Sequence, residues 1–120
     1  MASITLLLGF VLGLLFLGTG GLKLMVPHRE GMARFGWIEE VPPRWYRLAG
    51  WTEIAGAIGL MFPTMVQAVE WLTPLAAAGL ALQMVLATGL HLRRREWPAA
   101  SGTVILIAML VGIAIDAVSG

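Results

Sequence analysis

The residue in this sequence whose position most suggests chemistry is a glutamate inside an apolar run. Glu53 comes ten residues after Pro43, where that run starts, or about 15 Å along a helix. An ionisable group at that depth in a membrane costs roughly 2.5–3.5 kcal/mol on insertion scales, so it needs a partner or a purpose. Tyr46 and Gly50 share its helical face, so the carboxyl group is predicted to point toward a neighbouring helix.

Lys23, at the end of the first apolar run, is the cation predicted to pair with Glu53. A lysine near a helix end can turn its long side chain inward as well as outward. A paired Glu53 could stay ionised and hold two helices in register. An unpaired Glu53 would instead be expected to take up a proton or to face a ligand, because burial disfavours its charged form.

Two polar residues in the third apolar run are the remaining candidates. Gln83 lies about 13 Å from one end of that run and can donate and accept hydrogen bonds. With Ala87 and His91 it could line a polar track to the membrane boundary. For Gln83 we favour a structural hydrogen bond to another helix. For His91 we favour a position at the membrane interface.

Motifs for catalysis, metal binding and thiol chemistry are not found in the sequence. It has no Ser/His/Asp arrangement, no phosphate-binding glycine loop and no metal-spaced carboxylate pair, so we assign no catalytic residue and no metal ligand. His28 and His91 are not placed as a facing pair, which disfavours a bis-histidine haem. The chain contains no cysteine, which excludes disulfides and thiolate-bound clusters.

Composition and segment lengths indicate the elements that position these residues. The chain has 120 residues, of which 58% are hydrophobic and 12% charged. A bilayer core of about 30 Å needs roughly 20 helical residues, and four stretches meet that length. They predict an all-α membrane protein, a single domain built as a four-transmembrane-helix bundle. The predicted helices are about 4–22, 43–62, 65–92 and 99–118, with a cytoplasmic loop at 23–42.

Local signals refine these boundaries. Proline at 42 and 43 marks the start of the second helix, and Thr64 is a candidate N-cap for the third. Pro74 in the long third segment predicts a tilt, an interfacial first turn around Glu70, or a kink.

Gly9 and Gly13 in the first helix, and Ala55 and Gly59 in the second, have the small-xxx-small spacing that lets membrane helices approach closely. Trp51 is expected to pack inside the bundle.

The basic residues predict the orientation of the chain. All eight Lys and Arg residues lie where the first helix meets the second or where the third meets the fourth. The positive-inside rule puts both junctions in the cytoplasm and both termini outside. The net charge of +1, without a basic stripe, argues against a nucleic-acid partner and leaves the lipid bilayer as the predicted surroundings.

Several blocks in order along the chain resemble the DoxX family, in particular its short DoxX-like members. They are residues 20–24, 34–37, 50–56, 59–63 and 91–95. The resemblance implies a four-helix protein of the bacterial plasma (inner) membrane, and Lys23 and Glu53 match polar positions of the family. It also implies a link to a thiosulfate:quinone oxidoreductase or to oxidative-stress complexes. The arginine that many relatives place at the start of the first helix is missing here.

Three functions are compatible with the sequence. The first is a non-catalytic membrane subunit that docks with a redox partner near the quinone pool, at most one subunit of a quinone-linked oxidoreductase. Under this first hypothesis the chain binds no cofactor of its own other than a quinone. Its partner is another membrane protein or a second copy of the chain. The second is a small-molecule or proton-linked carrier with Glu53 and Gln83 lining a cavity. The third is a structural or assembly factor without a ligand.

Overall fold

Helices make up nearly all of the part of the chain that the computed structural model describes, residues 2–64 and 71–119. Within those ranges no β-strand occurs, which confirms the predicted all-α class. The helices are α1 (Ser3–Met25), α2 (His28–Arg34), α3 (Pro43–Met61), α4 (Leu72–Arg93) and α5 (Trp97–Ser119). Short 3-10 turns follow α2 at Gly36–Glu40 and α3 at Phe62–Thr64.

The first connection is shorter and more structured than predicted. Helix α1 continues three residues past the predicted end and stops at Met25, because a residue that precedes proline, here Val26, disfavours the helical conformation. The predicted loop 23–42 contains α2 and a 3-10 turn, so Lys23 belongs to the last turn of α1. Its backbone is therefore helical where the predicted loop began.

Helix α4 begins at Leu72 in the described residues. The predicted start at residue 65, with Thr64 as its cap, and the expected interfacial position of Glu70 concern residues 65–70, which lie outside the described part of the chain. Pro74 is the third residue of α4, where its missing N–H would have no partner within the helix. At that position proline fits without removing a hydrogen bond of the described helix.

The four long helices pack side by side as two pairs. Helix α1 packs along α3 and α4 along α5, while contact between α3 and α4 joins the pairs and α1 touches α5 more lightly. The buried core is built from small and aliphatic side chains around Phe16, Leu60, Leu80 and Leu110. The Ala2 amide donates to Asp116 Oδ2 at 3.0 Å, so the start of α1 and the end of α5 meet.

Three of the described helices are long and apolar enough to cross a membrane: α1, α4 and α5. Helix α3 has 19 residues, but Arg44, Arg47 and Glu53 lower its mean hydropathy. The apolar side chains that the helices expose are suited to lipid. One of them is Trp51, which is 59% exposed, so the prediction that it packs inside is wrong. It lies away from the buried face of α3, which carries Tyr46, Gly50 and Glu53.

Candidate functional site

Small residues bring α1 and α3 together where the charged residues lie. Gly9, Gly13 and Gly20 are all buried on one side of α1. Gly13 lies against Ala57 and Met61 of α3, and Gly20 lies against Gly50. Close backbone approach between membrane helices is what the glycine spacing predicted. It allows side chains from α1 to reach the face of α3 that carries Glu53.

Glu53 lies in this interface and is only 2% exposed. The Nζ atom of Lys23 is 2.8 Å from Oε2 and 3.1 Å from Oε1 of the carboxylate. Only the contact with Oε1 has hydrogen-bond geometry, and Oε2 is held by charge alone among the described residues. The Thr19 hydroxyl donates a second hydrogen bond to Oε1 at 2.8 Å. The predicted contact between Lys23 and Glu53 is therefore present across α1 and α3.

Thr19 is a partner of Glu53 that was not predicted from the sequence. It lies four residues before Lys23, so both side chains leave the same face of α1. That spacing was a usable signal. A neutral donor and a cation together satisfy a carboxylate better than the cation alone, because a buried charge needs both pairing and hydrogen bonding.

The outer end of Lys23 meets the first connection. Its Nζ lies 5.8 Å from the ring centroid of Trp37, a cation–π distance, and its side chain is 16% exposed. Trp37 in turn meets the His91 ring edge-on, with 5.9 Å between centroids. The ion pair is thus closed on the side of the connection by an aromatic residue that also contacts α4.

Tyr46 shares the buried face of α3 with Glu53, as predicted, but it serves a different contact. Its ring packs edge-on against His28 of α2, with centroids 5.4 Å apart. His28 Nε2 lies within hydrogen-bond distance of two carbonyl oxygens, those of Ile38 and Val41. Among the described residues, Tyr46 and Glu53 are not hydrogen-bonded to each other. Tyr46 therefore docks α2 and the 3-10 turn on α3.

Gln83 forms the interhelical hydrogen bond that the sequence favoured, and its partner is Thr52. The Thr52 hydroxyl lies 2.8 Å from Gln83 Oε1, and Gln83 Nε2 is 3.4 Å from the Ala49 carbonyl oxygen. This pair lies between α3 and α4, in a groove of about 340 Å³ whose walls are mostly small residues. We call it the α3–α4 groove. Its lining includes Ala55, Gly56, Gly59, Ala76 and Gly79.

His91 lies elsewhere, at the end of α4. It is buried, and its Nδ1 is 2.7 Å from Glu96 Oε1. It lines a second and larger cavity, between the 34–37 segment and the start of α5. Gln83 and His91 thus face separate cavities, so the residues described do not form the continuous polar track considered from the sequence.

Ion pairs join the two connections at this end of the helices. Arg94 contacts Glu40 at 2.8 Å and Glu96 at 3.2 Å, and Arg93 contacts Glu40 at 3.0 Å. The hydrogen bond from Arg94 holds the pKa of Glu40 below its usual value. The hydrogen bond from His91, and to a smaller extent the one from Arg94, also holds the pKa of Glu96 below its usual value. We call the end that carries residues 26–42 and 94–96 the basic end.

The residues predicted from the sequence lie at three separate locations and do not form one site. Lys23 and Glu53 form the α1–α3 pair, Gln83 lies in the α3–α4 groove, and His91 lies at the basic end, while Tyr46 supports α2. The described residues contain no group of three or more His, Cys, Asp or Glu side chains that could hold a metal ion. The α1–α3 pair is enclosed, so it suits holding charge inside the helices better than turning over a substrate.

The sequence profile of the DoxX-like family matches residues 7–113. That range includes both members of the α1–α3 pair and both cavities, so the comparison covers every place described above. No curated protein and no solved structure matches the chain.

Proposed function

The chain belongs to the DoxX-like family, and from this premise we propose that it is a non-catalytic membrane subunit that anchors a redox partner near the quinone pool. The observation that carries the proposal is the enclosed pair of Lys23 and Glu53. The two charges balance each other inside the protein, and Thr19 donates a hydrogen bond to one carboxylate oxygen, so the pair needs no charged substrate to balance it.

Four spanning helices are part of this proposal. Helix α3 has 19 residues, or about 28 Å, which is close to the thickness of a bilayer core. It lies between α1 and α4, two helices that are apolar enough to span. Its buried carboxyl group is paired, which lowers the cost of placing α3 in lipid. These features support a fourth span despite the low hydropathy of α3.

The proposed location is a bacterial inner membrane, with the basic end in the cytoplasm and both termini outside. The ion pairs of Glu40 with Arg93 and Arg94 support a shared side for the two connections. The Ala2–Asp116 contact supports a shared side for the two termini. The positive-inside rule then supports the cytoplasmic side for the basic end.

The α3–α4 groove is the surface that we assign to the partner. Membrane helices associate through small residues, because lipid provides no hydrophobic drive for association. A Cβ atom built on Gly79 would meet no atom within 4 Å, so the groove is open at that position. The polar pair Thr52–Gln83 at the same groove could also bond to a polar side chain of a partner helix.

Co-purification from native membranes in mild detergent tests the proposal. We expect a redox-active membrane protein with bound quinone to be retained by the native chain. Gly79→Leu should reduce its recovery several-fold, because the new side chain would occupy the groove. Gly89→Leu is the matched control, since Gly89 also lies on α4, has open space around it and does not line the groove.

A monodisperse chain with no partner and no quinone, from cells whose membrane redox behaviour is unchanged by its deletion, would overturn the proposal. In that case the structural or assembly role without a ligand would be the better account. Equal loss of the partner with Gly79→Leu and Gly89→Leu would reject only the groove as the binding surface of the partner.

The carrier hypothesis has weaker support. Glu53 and Gln83 lie on different sides of α3, toward α1 and toward α4, and Glu53 lines neither of the two cavities described. Flux through proteoliposomes that is abolished by Glu53→Gln in a correctly folded chain would restore it.

A further inference from the structure

We propose that the cavity at the basic end binds one anionic phospholipid. This cavity, the basic-end cleft, has a volume of about 880 Å³ and lies between the segment after α2 and the first half of α5. Its polar walls are formed by Arg34, Trp37, His91 and Glu96, and its apolar wall is formed by α5 residues that end at Leu106. The proposal does not depend on the redox partner.

The polar half of the cleft has an uncompensated positive charge. Arg34 lines the cleft and has no carboxylate within ion-pair distance in residues 2–64 and 71–119. Glu96, the carboxylate of the cleft, is already paired with His91 and Arg94. The charge left to attract a ligand is therefore that of a guanidinium, which recognises phosphate by paired hydrogen bonds.

The apolar half of the cleft distinguishes a lipid from a free anion. Pro98, Gly102 and Leu106 recur every four residues and so present one face of α5 to the cleft. Leu106 lies nine residues, or about 14 Å, beyond the start of α5 at Trp97, toward the apolar middle of that helix. A Cβ atom on Gly102 would meet no atom within 4 Å, so this wall is open to an acyl chain.

A phosphate ion would occupy only the end near Arg34, whereas a phospholipid would place its headgroup there and an acyl chain along α5. Arginine and lysine clusters at a membrane surface attract anionic lipids, by about 1 kcal/mol for each basic residue. Arg95, which forms no ion pair within residues 2–64 and 71–119, lies at the same end of α4 and adds to this attraction. Phosphatidylglycerol, with one negative charge, is a suitable probe of this chemistry.

Native mass spectrometry of the full chain with equimolar phosphatidylglycerol and phosphatidylcholine of identical acyl chains tests the site. We expect one retained lipid per chain, with phosphatidylglycerol in excess. Arg34→Gln should lower the ratio of the two lipids about fivefold. Gly102→Leu should lower the total occupancy, because its side chain would fill the acyl part of the cleft.

Two controls keep the test specific. Arg29→Gln removes a basic residue from the same helix, α2, but Arg29 does not line the cleft. Gly112→Leu adds the same bulk to α5 at another open glycine outside the cleft. Neither should change lipid retention.

Equal retention of the two lipids, or equal effects of Arg34→Gln and Arg29→Gln, would overturn the proposal. Displacement of the lipid by millimolar inorganic phosphate would also overturn it, because the cleft would then be a site for a free anion.

Discussion

Gly20 of α1 and Gly50 of α3 face each other with no room for a side chain between them. A Cβ atom on Gly20 would lie 2.7 Å from the carbonyl oxygen of Gly50, and one on Gly50 would lie 3.0 Å from that of Gly20. Glu53 is one turn from Gly50, and Thr19 and Lys23 flank Gly20 on the other helix. The close approach therefore explains how a short threonine side chain reaches the carboxylate of another helix.

Gly20→Ala is expected to destabilise the protein. Overpacking at a close contact typically costs about 1–3 kcal/mol, of which up to about 1 kcal/mol is offset by the higher helix propensity of alanine. Gly21→Ala is the control, since a Cβ there would meet nothing within 4 Å. Thermal unfolding in detergent should show a lower midpoint for Gly20→Ala only. Equal midpoints for the two variants would contradict the close packing.

The α1–α3 pair should behave as one unit in a double-mutant cycle. Glu53→Gln and Lys23→Met should each lower the midpoint, because each leaves the other group buried without its charged partner. The double variant should recover part of the loss, with a coupling of about 0.5–3 kcal/mol. Strictly additive effects would mean that the two side chains do not act as a pair.

The ion pairs at the basic end predict a pH dependence of stability. Hydrogen bonding by Arg94 holds the pKa of Glu40 below its usual value of 4.5. A carboxylate with a lowered folded-state pKa stabilises the protein above its unfolded-state pKa, and that contribution is lost as the pH falls through the folded-state value. Glu40→Gln should therefore lower the unfolding midpoint at pH 7 and have a shrinking effect below about pH 4.

Glu39 provides the comparison for this experiment. It is exposed, and no Lys, Arg or His in the described ranges lies within ion-pair distance of it. Glu39→Gln should leave the midpoint unchanged across the same pH range. A Glu40→Gln effect that persists undiminished at pH 3 would show that charge is not its cause.

Arg95 has the only positive φ among non-glycine residues of the described chain, 58°. It ends α4 in a Schellman motif, in which the Arg95 N–H donates to Leu92 and the Glu96 N–H to His91. Glycine adopts this conformation without the strain of a side chain, so Arg95→Gly should stabilise the chain by roughly 0.5–1 kcal/mol. Arg95→Ala removes the same charge but keeps the strain of a side chain at a positive φ. If Arg95→Ala has an unfolding midpoint as high as that of Arg95→Gly, relief of backbone strain is not the cause of the stabilisation.

The proposed orientation can be tested by thiol labelling, because the chain has no cysteine of its own. A membrane-impermeant reagent applied to intact cells should modify Ser119→Cys and spare Glu30→Cys, an exposed position on α2. Labelling after lysis should reach both. The reverse pattern in intact cells would place the basic end outside.

Much of this structure could be predicted from composition and spacing. Apolar length located the four long helices, proline placed the start of α3, and the glycine pattern of α1 indicated its packing face. The pairing of Lys23 with Glu53 followed from one costly charge and one nearby cation. These features could be predicted because they depend on local sequence or on one large energetic cost, that of a charged side chain inside the membrane.

What could not be predicted depends on which side of a helix meets which neighbour. Thr52 and Glu53 are adjacent in sequence, yet one bonds to α4 and the other to α1. Trp51 was expected inside because it lies deeper in its helix than an interfacial tryptophan would, but in lipid an apolar side chain gains little from burial in the protein. The connection 26–42 could not be placed either, because Glu40 docks on residues more than fifty positions away.

The charged residues of α3 also bear on how the chain enters the bilayer. On the proposed topology α1 is synthesised and inserted first, so its glycine face and Lys23 are in place before α3 emerges from the ribosome. A segment with two arginines and a glutamate is a poor substrate for insertion by itself. We therefore expect α3 to enter the bilayer in contact with α1, which makes α1 an intramolecular insertion chaperone for α3.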